Sequence, residues 1–211
     1  MNLNLYPGIK IILLLINLFL LLFAVAIHEF AHGWIANRCG DPTAKLSGRL
    51  SLNPLKHIDP LMTIILPLLL FFSTQGRFVF GAAKPVPVNF SRLNNPKRDI
   101  IWVGLSGPAA NFIFAFIVTL LLKITPFLIL QGILYQLITI NIFLGVFNLV
   151  PIPPLDGSRI VMGLLPRPLA ANYARIEPYG FIIIMGLFFL GSFNYIIEPA
   201  ITIVLQLLLS I

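Results

Sequence analysis

The stretch IKIILLLINLFLLLFAVAIHEFAHGWIAN, residues 9–37, decides the fold of this chain. It is almost entirely apolar and free of proline, and Gly40-Asp41-Pro42 follows it as a helix stop signal. At about 1.5 Å per residue, a helix of this length crosses the ~30 Å hydrocarbon core of a bilayer. We therefore predict a membrane-embedded helix, and its most unusual feature is the polar residues His28, Glu29 and His32 near its end.

The composition of the whole chain predicts the same environment. Of 211 residues, 58% are hydrophobic and only 10% are charged, and the mean hydropathy is +0.97. A soluble domain with so few polar residues could not cover its surface. We expect an all-α, multi-pass membrane protein with one domain over residues 1–211 and no additional soluble domain. Its basic residues are scattered through loops, so we expect no nucleic-acid partner.

Apolar segments separated by polar loops predict a helical bundle with about five spanning helices and one short helix. The short helix, residues 60–72, covers only about 20 Å, so we expect it to re-enter the membrane or to lie at its interface. The expected spanning segments are residues 9–37, 99–122, 127–150, and two closing segments near 179–190 and 195–209.

The basic residues predict how the helices are oriented. If residues 60–72 do not cross, twelve of the fourteen basic residues lie on one side, which the positive-inside rule makes cytoplasmic. Only Lys10 and Lys123 then lie on the other side. The twelve are Arg38, Lys45, Arg49, Lys56, Arg77, Lys84, Arg92, Lys97, Arg98, Arg159, Arg167 and Arg175. This topology brings His32 and the 151–156 loop to the same, cytoplasmic membrane face.

The pentapeptide His28-Glu29-Phe30-Ala31-His32 carries the chemistry of the first helix. Two histidines four residues apart share one helical face and can bind the same zinc ion, while the glutamate can act as general base on a zinc-activated water. Polar and charged side chains are costly in a bilayer, and a metal ion would compensate them. We therefore predict a zinc site at His28 and His32.

A catalytic zinc takes three protein ligands and leaves a fourth position for water. Asp156 stands out as the third ligand because it is the only acid in the stretch that follows an apolar span, residues 148–157. An Asp-Gly pair after prolines is also a common reverse turn, so turn chemistry alone leaves its role open. The candidates are Asp41, His57, Asp59, Asp99, Asp156, Glu177 and Glu198.

The pairing of His28-Glu29-xx-His32 with Asn148-xx-Pro151-xxxx-Asp156-Gly157 resembles the site-2 protease family of intramembrane zinc metalloproteases. The resemblance covers nearly the whole chain. Segments 48–60, 83–89 and 106–111 are similar to a compact prokaryotic branch that lacks a PDZ domain.

The resemblance implies a zinc endopeptidase that cleaves peptide bonds in or near transmembrane segments of other membrane proteins. It implies one Zn²⁺ per chain bound by His28, His32 and Asp156, with Glu29 as general base. It also implies that Asn148 helps to hold the substrate backbone or the oxyanion. The alternatives are a zinc-binding transporter, which needs a polar path on both sides of the site, and a non-catalytic chaperone.

Two further polar residues have less specific interpretations. His57 is either an ordinary interfacial histidine beside Asp59, which we favour, or a residue that supports the metal site. Asn111 follows Gly107-Pro108 in a span, where an amide hydrogen bond in close helix packing is favoured over a catalytic role.

The segment 83–89, Ala-Lys-Pro-Val-Pro-Val-Asn, must be extended because proline forbids a helix there. The amides of Val86 and Val88 lie on one edge of such a chain and could pair with an unwound substrate. An ordinary proline-rich loop is the alternative to this substrate-binding role.

The topology predicts that the loops at residues 43–59 and 73–98 are both cytoplasmic. Single cysteines at Ser47 and Ser91, in a background without Cys39, should react with an impermeant reagent from the same side. Labelling from opposite sides would mean that residues 60–72 cross the bilayer.

Overall fold

The computed structural model describes residues 7–74, 81 and 83–210, apart from the side chains of Pro7, Lys10, Phe193 and Asn194. Arg77 and the Lys10 side chain, used above for the topology, lie outside this description. The described residues contain helices and loops but no β-strand, which confirms the all-α membrane class. The α-helices are α1 Pro7–Arg38, α2 Thr43–Leu46, α3 Leu66–Ser73, α4 Pro96–Ile124, α5 Leu128–Asn148, α6 Asp156–Leu164, α7 Arg167–Ala174, α8 Gly180–Phe189 and α9 Ser192–Ser210.

Three of the described helices are long and apolar enough to cross a membrane: Ile11–Arg38, Pro96–Ile124 and Leu128–Asn148. The expectation of about five spans placed two more at the end of the chain. Helix α8 has only 10 residues, about 15 Å, so it does not reach across the hydrocarbon core by itself. Helix α9 has 19 residues and is apolar through most of its length.

The short apolar helix between the two polar loops begins at the expected residue. A π-helical turn, Pro60–Ile65, continues directly into α3. The Asp59 carboxylate caps it by accepting hydrogen bonds from the amides of Leu61 and Met62, both at 3.0 Å. Together the two pieces end at Ser73, so this helix is shorter than any of the three that qualify as spans.

The three long helices pack on one another around a common core. Leu20 of α1, Val118 of α4 and Ile138 of α5 are all buried in this core, and α9 contributes partly buried apolar residues to it. The outward faces are apolar as well: Ile129 at the start of α5 is 84% exposed. An apolar outer surface over an apolar core is what a lipid environment requires, since lipid replaces water as the solvent.

A tight connection between α5 and α6 brings the Asp-Gly pair back against the long helices. At Gly157, a Cβ atom would lie 2.6 Å from the carbonyl oxygen of Val150, so only glycine allows this approach of the two backbones. At Gly104 of α4, a Cβ atom would lie 3.0 Å from the carbonyl oxygen of Asp156. These close contacts fix the start of α6 on the side of α4.

The extended segment 83–89 is attached to the end of α1. Asp41 is fully buried, and its carboxylate accepts hydrogen bonds from the Asn89 amide at 2.6 Å and from Thr43. The Lys84 amide donates to the His57 carbonyl at 2.9 Å, and the Arg49 guanidinium donates to the Lys84 carbonyl at 2.8 Å. These bonds hold the segment across the polar end of α1.

Candidate metal centre

His28 and His32 lie one turn apart on α1, and their side chains converge. Their Nε2 atoms are 3.0 Å apart, the rings are nearly perpendicular, and both residues are buried. The sequence spacing of four residues accounts for this arrangement, since such side chains project from one face of a helix.

Asp156, the first residue of α6, completes the cluster. Its Oδ2 atom lies 3.0 Å from Nε2 of His28 and 3.2 Å from Nε2 of His32. Among the described residues, these three form the one group of histidine, cysteine, aspartate or glutamate side chains close enough to bind a common metal ion. The structure thus brings together the three ligands predicted from the sequence.

The remaining ring nitrogens define the protonation of both histidines. Nδ1 of His28 lies 2.6 Å from Oδ1 of Asn111, and Nδ1 of His32 lies 2.7 Å from the Val103 carbonyl oxygen. An oxygen of a carbonyl group can only accept, so each Nδ1 carries the proton and donates. In the neutral rings, Nε2 then has a free lone pair, which is the form a metal ligand requires.

Helix α4 leaves room for an ion because it carries glycine at the point of closest approach. A Cβ atom at Gly107 would contact Nε2 of His32 and would lie 2.6 Å from Nε2 of His28. Any larger residue there would fill the space in front of the ligand atoms.

The ionisation of Asp156 also suits a metal ligand. Burial acts to raise the pKa of this carboxyl, but protonated imidazoles of His32 and His28 act more strongly and hold the pKa well below its usual range; a cation bound to the neutral rings would act in the same direction. Its place at the N-terminus of α6 favours negative charge as well. Asp156 is therefore anionic at neutral pH, as a metal ligand has to be.

The donor set fits zinc. A tetrahedral ion with bonds of about 2.0 Å needs ligand atoms about 3.3 Å apart, close to the separations of 3.0–3.2 Å between these three atoms. Two imidazoles and a carboxylate are typical zinc ligands, and three protein ligands leave a fourth position open.

Glu29 adjoins the cluster and has a defined partner. Its Oε2 atom accepts a hydrogen bond of 2.7 Å from the Val86 amide. The expectation that Val86 offers its amide to a substrate is therefore revised, because this amide is already engaged by Glu29. The Val88 amide makes no hydrogen bond to the described part of the chain.

The other candidates for a third ligand lie away from the cluster and have different partners. Asp41 and Asp59 are engaged as described above, and Asp99 accepts a hydrogen bond of 2.8 Å from the Asn95 amide. Glu177 pairs with Arg159 at 2.6 Å, and Glu198 is exposed on α9.

Neither His57 nor Asn148 is one of the three residues of the cluster. His57, which we expected at an interface, is fully buried; its Nε2 bonds to the Ser51 carbonyl at 2.9 Å, and it takes no part in the metal cluster. Asn148 is the last residue of α5, and its Nδ2 donates to the Leu144 carbonyl at 3.0 Å.

Sequence reasoning missed the groups that hold the histidines from behind. The Val103 carbonyl is a backbone group, and no side-chain pattern reveals it. The sequence favours helix packing as the role of Asn111, and it gives no role to Asn141, whose side-chain oxygen accepts a hydrogen bond from Asn111. The available signal was an amide side chain in the middle of each of two apolar helices, which requires a polar partner.

Comparison with known proteins identifies the family. The profile of Peptidase family M50 matches residues 16–131 and 125–190, which include all three ligand residues. The chain belongs to peptidase family M50. This confirms the resemblance to the site-2 protease family.

Two named proteins resemble the chain over most of its length. It is 37% identical to YwhC of Bacillus subtilis over 189 residues, covering 85% of this chain and 82% of YwhC. It is 31% identical to Rip2 of Mycolicibacterium smegmatis over 180 residues, covering 82% of this chain and 66% of Rip2. Both relatives are provisionally named zinc metalloproteases.

A third relative, the zinc metalloprotease MJ0392 of Methanocaldococcus jannaschii, is 28% identical over 193 residues, or 85% of this chain and 44% of MJ0392. No solved structure matches the chain. Family membership and these relatives confirm the predicted metalloprotease class, and together with the His28–His32–Asp156 group they confirm zinc as the cofactor.

The clearance at Gly107 generates a test of the metal centre. Gly107→Ala should greatly lower zinc uptake by the purified protein, because the added methyl group occupies the space beside both Nε2 atoms. Gly132→Ala in α5 is the matched control, since its Cβ would meet nothing within 4 Å and zinc uptake should stay unchanged. Equal zinc content in the two variants would show that the ion binds elsewhere.

Proposed function

We propose that this M50 peptidase hydrolyses peptide bonds in or near the transmembrane segments of other membrane proteins. The observation that carries this proposal is the position of the metal ligands on a helix that qualifies as a span. His28 lies ten residues before the end of α1 at Arg38, which is about 15 Å along the helix axis. A scissile bond must reach this depth, and the substrates that lie at such depth are membrane-embedded proteins.

We assign the metal to His28, His32 and Asp156, and the proton transfers to Glu29. When bound there, zinc supplies Lewis acidity, which acidifies a water molecule and polarises a carbonyl group. The Glu29 carboxylate accepts the proton from the attacking water and later delivers it to the leaving amine nitrogen. The side chain lies next to His28 in sequence and is only partly buried, so it can face both the ligands and an incoming peptide.

The Val86 amide positions this base in our proposal. A backbone donor at 2.7 Å fixes one oxygen of the Glu29 carboxylate and leaves the other free for the water proton. The segment 83–89 is itself held by Asp41 and Arg49, so the donor is attached to a rigid support.

Substrate contacts are assigned to Asn148 and Val88. The Nδ2 group of Asn148 has two protons, of which one is donated to Leu144; the second is available to a substrate carbonyl or to the developing oxyanion. Among the described residues, the Val88 amide has no hydrogen-bond partner, and its extended segment suits pairing with an unwound peptide.

The whole chain, residues 1–211, acts as one domain in this proposal, with its metal centre toward the cytoplasmic side. The basic loops at residues 43–59 and 83–98 support this orientation, because they adjoin the end of α1 that carries the ligands.

The role of Glu29 predicts a variant that binds metal but does not cleave. Glu29→Gln keeps the side-chain shape and should retain zinc, while turnover of a model transmembrane substrate falls at least ~10²-fold, the usual contribution of a general base. Metal analysis and a cleavage assay on the same preparation provide the measurement. Cleavage at the parental rate by Glu29→Gln would contradict this mechanism.

The two amides of the 83–89 segment predict different kinetic defects. Val86→Pro removes the donor to Glu29 and should lower kcat by roughly 10–100-fold, since a hydrogen bond to a charged group is worth ~1.5–3 kcal/mol. Val88→Pro removes the proposed substrate contact and should raise KM instead. Val86→Ala and Val88→Ala retain both amides and serve as controls. A Val88→Pro enzyme with parental KM would exclude the pairing.

A further inference from the structure

A row of buried amide groups extends from His28 into the core of the helix bundle. Nδ1 of His28 is 2.6 Å from Oδ1 of Asn111, and Nδ2 of Asn111 is 2.8 Å from Oδ1 of Asn141. Nδ2 of Asn141 in turn lies 2.8 Å from the Leu137 carbonyl oxygen. Both asparagines are fully buried, so water cannot substitute for a missing partner. The row joins α1, α4 and α5 through side chains alone.

The direction of these hydrogen bonds is fixed by backbone carbonyls. The Leu137 oxygen can only accept, so the nitrogen of the Asn141 amide must face it. The oxygen of Asn141 then faces Asn111, whose own nitrogen must point toward it. The Ala24 carbonyl, 3.3 Å from Nδ2 of Asn111, favours the same orientation through a longer and weaker hydrogen bond than the 2.8 Å bond to Asn141. Asn111 therefore presents its oxygen, and never its nitrogen, to His28.

This direction determines which nitrogen of His28 can bind a metal ion. An oxygen opposite Nδ1 demands a proton on Nδ1, which leaves the lone pair on Nε2, where Asp156 and His32 converge. If the Asn111 amide turned over, its N–H would face Nδ1 and favour the tautomer that carries its proton on Nε2. That tautomer cannot bind a metal ion through Nε2.

We infer that Asn141 is a positioning residue of the metal centre: by accepting from Asn111, it holds the Asn111 amide in the orientation that makes His28 a zinc ligand. Asn141 belongs to α5, which supplies no metal ligand, and it acts on His28 only through Asn111. This inference rests on the metal centre of the proposed function. Partners that orient a ligating histidine typically contribute 10–100-fold to metal affinity.

A purely structural role for Asn141 makes a different prediction. Interhelical hydrogen bonds between polar side chains also join helices in membranes. In that case, removing Asn141 would lower thermal stability but leave zinc affinity unchanged. The loss of any comparable buried hydrogen bond would have the same two effects. Thr119 of α4 controls for the loss of a buried hydrogen bond as such, because it is buried and its hydroxyl donates within the same helix to the Ala115 carbonyl at 2.9 Å.

The experiment measures the zinc affinity of the full chain by competition with a chromophoric chelator, together with thermal stability. Asn141→Leu keeps the branched shape of the side chain but removes the acceptor, and zinc affinity should fall about tenfold. Asn141→Asp, protonated in this apolar core, donates to the Leu137 carbonyl and keeps an oxygen facing Asn111, so zinc affinity should stay near the parental value. Thr119→Val should also bind zinc as the parent does. If Asn141→Leu does not fold, Asn141→Ala takes its place, and Thr119→Ala then replaces Thr119→Val as the control.

The outcomes separate this inference from the proposed function. Parental zinc affinity in the Asn141→Leu protein would overturn the positioning role and leave the metal centre intact. An equal loss in Asn141→Asp or in Thr119→Val would overturn it too, because the acceptor oxygen would then not be the cause. Failure of the unchanged protein to bind zinc would refute the metal centre itself, and the inference with it.

Discussion

The structure depends on one constraint: two imidazoles are buried in an apolar helix bundle, and all four of their ring nitrogens need partners. Oxygens from α4 satisfy both Nδ1 atoms, which directs both Nε2 atoms to the same point. Asp156 supplies the negative charge there, and a divalent cation completes the balance. An unpaired carboxylate or imidazole at this depth would be costly, so ligand geometry and fold stability are coupled.

Glycines allow the elements that carry these partners to meet. Gly107 lets α4 approach the histidines, and Gly157 lets the start of α6 pack against the end of α5. The metal centre is therefore assembled from three parts of the chain that are remote in sequence. A methyl group at Gly107 would occupy the space beside the Nε2 atoms, and one at Gly157 would clash with the backbone that follows α5.

The sequence alone predicts the features of the site that lie within one helix. It predicts only part of the contacts that separate helices make with one another. The four-residue spacing places His28 and His32 on one face without any knowledge of the fold. Asp156 lies 124 residues beyond His32, and only the resemblance to a known family favoured it over a turn. The engagement of Val86 by Glu29 and the role of Asn141 depend on how separate elements pack, which periodicity does not reveal. The lengths of the apolar segments predicted where the helices begin and end. The short helix α8 shows, however, that an apolar segment does not always cross the membrane.

The central claim is that one zinc ion binds to two imidazoles and one carboxylate, with a position left for water. X-ray absorption at the zinc edge of the purified, zinc-loaded protein tests this claim directly. We expect two nitrogen ligands at about 2.0–2.1 Å and oxygen ligands at about 2.0–2.2 Å. A sulfur ligand near 2.3 Å, or a spectrum without imidazole scattering, would contradict it.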